Sequence, residues 1–313
     1  MITQSAGIKT TSSYREVLRV SMPLVISMTT TVVMTFTDRV FLANYSIDAI
    51  AAALPAGIIS YLFLVFFADT AGYANVIIAQ YTGAGTLDRV GSALWQAIYF
   101  ALIAWLIMAG LSFTAGPLFR WVGHSAEVQQ LEVIYFRVLC LGSGIHVLGI
   151  SFSSFFTGRG VTRPVMIIYI IAMLLNVPLD YALINGIWIF PELGMLGAAI
   201  ATVFSWASAT LMLGIIVFAR EYDRTFKIRQ NHHFDADLFR RLLRYGVPSS
   251  LQFSFDVLAF GFFYFNGGKG WKRRTRGHQH CHFTGFRIFS AAIRLCFGHQ
   301  HTGGTGFGPQ SAG

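Results

Sequence analysis

The chain has 313 residues, 54% of them hydrophobic and only 12% charged, with a formal net charge of +9. A soluble domain carries about 25% charged residues, so this composition argues against an ordinary water-soluble protein and for lipid as the main solvent. The positive balance is no nucleic-acid signal. Seven basic residues (Lys269, Lys272, Arg273, Arg274, Arg276, Arg287 and Arg294) and no acid follow residue 266, leaving the preceding residues close to neutral.

The first apolar run, near 17–43, is far longer than the core of about 7–15 residues in a cleavable secretory signal. It reads as a spanning helix that stays in the protein. A bilayer core takes roughly 20 apolar residues per helix, and backbone groups in lipid must be paired within the helix itself. Further spanning helices are therefore expected near 50–80, 91–117, 131–156, 163–189 and 193–218, with a seventh at 243–266. Residues 1–219 form a first bundle of six helices. Residues 220–242 form a polar linker with a basic amphipathic helix, and residues 267–313 an aberrant, non-membrane tail. Cys140 sits alone in an apolar helix and reads as packing, and no disulfide framework is implied.

Lys and Arg set the orientation. Lys9, Arg15 and Arg19 precede the first helix, Arg89 follows the second, and Arg159 and Arg163 follow the fourth. The linker and the start of the seventh helix hold Arg220, Arg224, Lys227, Arg229, Arg240, Arg241 and Arg244. The alternate connections hold only Arg120. This alternation places the N-terminus and the linker on the cytoplasmic side of the membrane. A weak internal repeat accompanies it: "YREVLRVSMPLVIS" at 14–27 resembles "FRRLLRYGVPSSLQ" at 239–252, each setting a proline (Pro23, Pro248) early in a helix. Such repeats are common in secondary transporters, and a second copy after six helices predicts a six-plus-six parent architecture.

Charged groups inside spanning helices are functional candidates by default. Asp38 lies in the first helix; its plainer alternative is an interfacial acid paired with Arg39. In the fifth helix, Asn176 and Asp180 are four residues apart and share a face. Pro178 between them leaves the Leu174 carbonyl without its usual partner. These oxygens suit Na⁺ or a proton relay, the plainer alternative being a kinked helix whose polar groups bond its neighbours. Thr202 in the sixth helix follows Gly197, Ala198, Ala199 and Ala201, which permit close helix packing. In the seventh, Gln252 and Asp256 form a second polar site. Arg137 and His146 in the fourth are weaker candidates. No His-Glu-x-x-His, Gly-x-Ser-x-Gly or P-loop occurs, so an enzyme is not expected and transport would draw on an ion gradient.

Taken together, "LRVSMP", "FTDRVFLANYSIDAIAAA", "IIAQYTGAGTLDRV", "NVPLDYALINGIWIFPELGMLGAAIAT" and "GVPSSLQFSFDVLAF" resemble the multidrug and toxin extrusion (MATE) family, in particular its NorM-like bacterial members. The likeness covers about residues 14–266. It implies an all-α membrane protein of two six-helix lobes, here the N-lobe plus helix 7. It also implies a Na⁺- or H⁺-coupled antiporter of amphipathic cationic drugs or dyes, without cofactor and without nucleic acid, and monomeric when intact. By that resemblance Asp38, Asn176, Asp180 and Thr202 form the N-lobe ion site, Pro23 bends helix 1, and Asp256 is the helix 7 acid of NorM-like members.

The tail departs from the family. "GHQHCHF" at 277–283 invites a metal site of His278, His280, Cys281 and His282, a reading rejected on the genetic code. Advancing the frame by one base lets 277–283 encode Ala-Thr-Asn-Ile-Val-Ile-Ser and 298–308 encode Ala-Thr-Ser-Thr-Leu-Val-Gly-Gln-Ala-Leu-Gly. The latter is a second-lobe counterpart of "AQYTGAG" at 79–85. A frameshift near 264–272 is therefore expected, giving a truncated and inactive exporter. The alternatives are a lipid-linked or polysaccharide flippase of the same superfamily, and a non-transporting membrane protein with a His-rich metal-binding tail.

Overall fold

The computed structural model describes residues 14–271 apart from Trp188. The chain divides after Ala259 into two units, and the packing reported below belongs to the first. Among the described residues the secondary structure is helical: α1 Tyr14–Tyr45, α2 Ile47–Gly72, α3 Ala74–Gly83, α4 Leu87–Ser112, α5 Ala115–Val122, α6 Ala126–Thr157, α7 Arg163–Asn185, α8 Met195–Val217, α9 Arg220–Phe226 and α10 Ala236–Trp271. α2 and α3 form one span, Ile47–Gly83. Six helices among the described residues are long and apolar enough to cross a membrane: Leu18–Tyr45, Ile47–Gly83, Leu87–Ser112, Ala126–Thr157, Arg163–Asn185 and Met195–Val217.

Local chemistry sets the helix ends. Ser46 caps α2 by accepting from the Asp48 amide at 3.2 Å. α7 carries proline in its first turn and stops at Gly186, whose φ of 67° suits a residue without a Cβ. The expected third segment, 91–117, begins earlier and resolves into α4 and the short α5. The expected seventh segment, 243–266, lies within α10. Gln252, Asp256 and three serines (Ser249, Ser250 and Ser254) dilute its apolarity. The basic amphipathic part of the linker is continuous with α10, whereas α9 carries Glu221 and Asp223 in its first turn.

α6 is the central helix, packed against α2, α4 and α8, while α1 pairs with α7 and α7 with α8. Small residues permit these approaches. A Cβ at Gly142 would sit 2.3 Å from Val203 Cγ2, and one at Gly197 would sit 2.6 Å from the Leu183 carbonyl oxygen. α1 exposes Met28, Val32 and Phe36, an apolar face suited to lipid. The linker is strapped to α4. Trp95 Nε1 donates to Ile228 O at 2.7 Å, Gln96 donates to His233 O at 3.2 Å, and Arg89 pairs with Asp235 at 2.9 Å. In the α6–α7 turn, the Arg159 guanidinium lies 3.8 Å from the Phe155 ring centroid and 4.6 Å from that of Phe226. Burial pushes Arg159 down to about 10, so it remains charged at neutral pH.

Candidate ion-coupling site

The candidate acids converge on the α1–α7 pairing. Asp38 on α1 is 5% exposed, and on α7 Asn176 is 2% and Asp180 0% exposed. The four-residue spacing that puts Asn176 and Asp180 on one face turns that face toward α1, and Asp38 and Asp180 meet side chain to side chain. From α6, the buried Tyr135 hydroxyl donates to Asp38 Oδ2 at 3.3 Å. Asp38 Oδ1 and both Asp180 oxygens have no donor. Two carboxylates cannot hydrogen-bond each other, and a buried charge is costly unless paired. As ions the two would repel, so the pair calls for a positive charge, either a proton or a small cation.

Arg39 does not supply that charge directly. It attracts Asp38 electrostatically, but no ion pair within 4.0 Å joins them among the described residues. Its guanidinium lies over Gly57 of α2, where a Cβ would sit 2.9 Å from Nη2, and Nη1 is buried without a partner. Asp38 is thus a buried acid bonded to Tyr135. The interfacial pair with Arg39 does not form.

The remaining candidates are placed as follows. Thr202 is half-buried on α8, and among the described residues no hydrogen bond links it to either carboxyl. Pro23 is buried inside α1, and Ser27 Oγ donates to its carbonyl at 2.8 Å. Gln252 and Asp256 are both exposed on α10, apart from the carboxyl pair's buried setting. His146 packs its ring against Trp206 at 4.8 Å, and Arg137 is exposed. No group of three or more potential metal ligands occurs among the described residues. His278, His280, Cys281 and His282 lie outside them.

Three residues escaped sequence reasoning. Tyr135 is one aromatic residue among many apolar ones, and nothing in the pattern marks its hydroxyl. Asp69 on α2, in side-chain contact with Ser249, and Glu132 on α6 are intramembrane acids. The same rule that found Asp38 applies to both. Glu132 is fully buried and accepts from His124 Nδ1 at 2.7 Å.

A profile of the MatE family matches residues 23–182. The chain belongs to the MatE family. The match begins at Pro23, takes in Asp38, Asn176 and Asp180, and ends before Thr202. A curated relative, the probable multidrug resistance protein NorM of Thermotoga maritima, is 28% identical over 251 residues. That alignment takes in 79% of this chain and 53% of the relative, so the chain spans about half the relative's length. Solved structures share the fold. A MATE transporter in the straight conformation has a TM-score of 0.69 at 24% identity, covering 79% of this chain and 54% of its own. A MOP superfamily transporter from Pyrococcus furiosus has a TM-score of 0.70 at 21% identity, covering 90% of this chain and 60% of its own.

Proposed function

We propose that the chain is the N-lobe, with the start of the second lobe, of a Na⁺- or H⁺-coupled exporter of amphipathic cationic drugs in a bacterial inner membrane. Its N-terminus would be cytoplasmic. The observation that carries this reading is the buried Asp38–Asp180 pair. As two carboxylates the pair repels; with one proton or one Na⁺ between them it holds α1 against α7. Asn176, one turn before Asp180, adds a carbonyl oxygen for the cation. Binding and release of the cation then become movement of α1. Pro23 makes that movement easier, because its missing N–H deprives the Arg19 carbonyl of a helical bond. An intramembrane acid also suits cationic rather than anionic substrates.

A central cavity built by two lobes cannot be completed by one, and we propose that this polypeptide alone exports nothing. The test is ethidium efflux in a pump-deficient bacterial host. The 313-residue chain should leave efflux at background. A two-lobe parent with the shifted frame restored should export the dye and lose at least most of that activity in Asp38→Asn and in Asp180→Asn. Unimpaired export by both variants would remove the carboxyl pair from the mechanism, and resistance conferred by the 313-residue chain would refute its inactivity.

A further inference from the structure

The start of α10 carries three arginines and one acid, Asp237, and so a net positive charge. Leu238, Leu242, Gly246 and Ser250 recur every four residues, and all are buried. They seat the helix on the second span. A Cβ at Gly246 would lie 3.0 Å from the Thr70 carbonyl oxygen, and Ser250 Oγ meets Thr70 Oγ1 at 2.7 Å. Tyr245 stacks on Tyr73 with centroids 6.3 Å apart, and Arg241 donates to Gln80 Oε1. Another face presents Asp237, Arg240, Arg241 and Arg244, the spacing of one helical stripe. With Tyr245 these residues line an open cavity of about 450 Å³. Among the described residues none of the three arginines forms an ion pair with a carboxylate.

We propose that this groove binds the phosphate headgroup of an anionic phospholipid. Arg240 and Arg244 are like charges four residues apart, which repel on a helix, and a phosphate between them would neutralise both. Guanidinium groups match phosphate with paired hydrogen bonds. Depth supports a headgroup: Gln80 lies in the last turn of the span Ile47–Gly83, where a bilayer turns from hydrocarbon to phosphate. The stacked Tyr73 and Tyr245 are the amphipathic rings favoured at that level. Beyond the groove α10 exposes Leu251, Phe255 and Leu258, an apolar strip on one helical face along which acyl chains would lie. An open groove would lose a free anion to water, whereas a lipid is also held by its chains. The site holds whether or not the chain exports drugs.

Native mass spectrometry of the delipidated 313-residue chain tests this with phosphatidylglycerol, phosphatidylcholine and inorganic phosphate as probes. Phosphatidylglycerol should be retained over phosphatidylcholine and resist displacement by inorganic phosphate. An Arg240→Gln/Arg244→Gln double variant should bind phosphatidylglycerol about thirtyfold more weakly, from the electrostatic contribution of each basic residue near an anionic surface. An Arg240→Lys/Arg244→Lys variant should keep most of the affinity, and Arg220→Gln/Arg224→Gln should keep all of it. Equal retention of the two lipids, displacement by inorganic phosphate, unchanged binding in the Gln variant or equal loss in the Lys variant would each overturn the assignment.

Discussion

Replacing Asp180 by Asn keeps the size and one oxygen of a side chain that is fully buried, and removes one charge of the carboxyl pair. At a separation of about 4 Å and an effective dielectric constant of about 20, a bound cation gains about 4 kcal/mol from one carboxylate. The Asn carbonyl recovers part of this as a dipole. The net loss is about 2–3 kcal/mol, a site weaker by about 30- to 140-fold. Without a cation the effect reverses, because the substitution removes a buried charge with no donor on either oxygen. Thermal unfolding of the detergent-solubilised chain reads both. A cation that binds only the folded state at 100 times its Kd adds about 2.7 kcal/mol. Wild type should therefore gain stability with NaCl, or as pH falls, against choline chloride at equal ionic strength. Asp180→Asn should start more stable in cation-free buffer and respond little. The same response to Na⁺ and to pH in both proteins would refute the reasoning.

Two packing predictions follow from the same geometry. Gly197→Ala would place a Cβ 2.6 Å from the Leu183 carbonyl oxygen and 2.7 Å from its carbon. Backbone cannot rotate aside, so unfolding should become easier by about 1–3 kcal/mol, and wild-type stability in a thermal scan would count against the α7–α8 contact. Arg159→Ala removes the cation from a cage of Phe155, Phe156, Tyr222 and Phe226 and the Nε donation to Phe155 O at 2.7 Å. A loss of about 2 kcal/mol is expected, together with faster proteolysis at α9; unchanged proteolysis would show that the cage does not anchor the linker.

The helical membrane fold was legible because lipid leaves few options: long apolar runs must become helices. The Asn176–Asp180 face was equally legible, since a four-residue spacing fixes which side chains stand together. Which neighbour that face meets depends on tertiary packing, so the contact with Asp38 could only be expected. Tyr135 illustrates the limit. Its hydroxyl matters through a bond across 97 residues of sequence, and no local pattern encodes that. Gln252 and Asp256 show the converse case. They satisfy the rule for intramembrane polar residues yet are exposed on α10, because a rule about residue type says nothing of which surface the helix covers. The seventh segment was expected at 243–266, and those residues lie within α10.

The central claim, that Asp38 and Asp180 together hold the coupling cation, is tested most directly by counting cations bound to the purified chain. Radiolabelled Na⁺ binding and proton release on alkaline pulse would be measured for wild type and for Asp38→Asn/Asp180→Asn. One Na⁺ or one proton per chain in wild type, absent from the double variant, is the predicted result. Equal binding in the two proteins, or none in wild type, would contradict it.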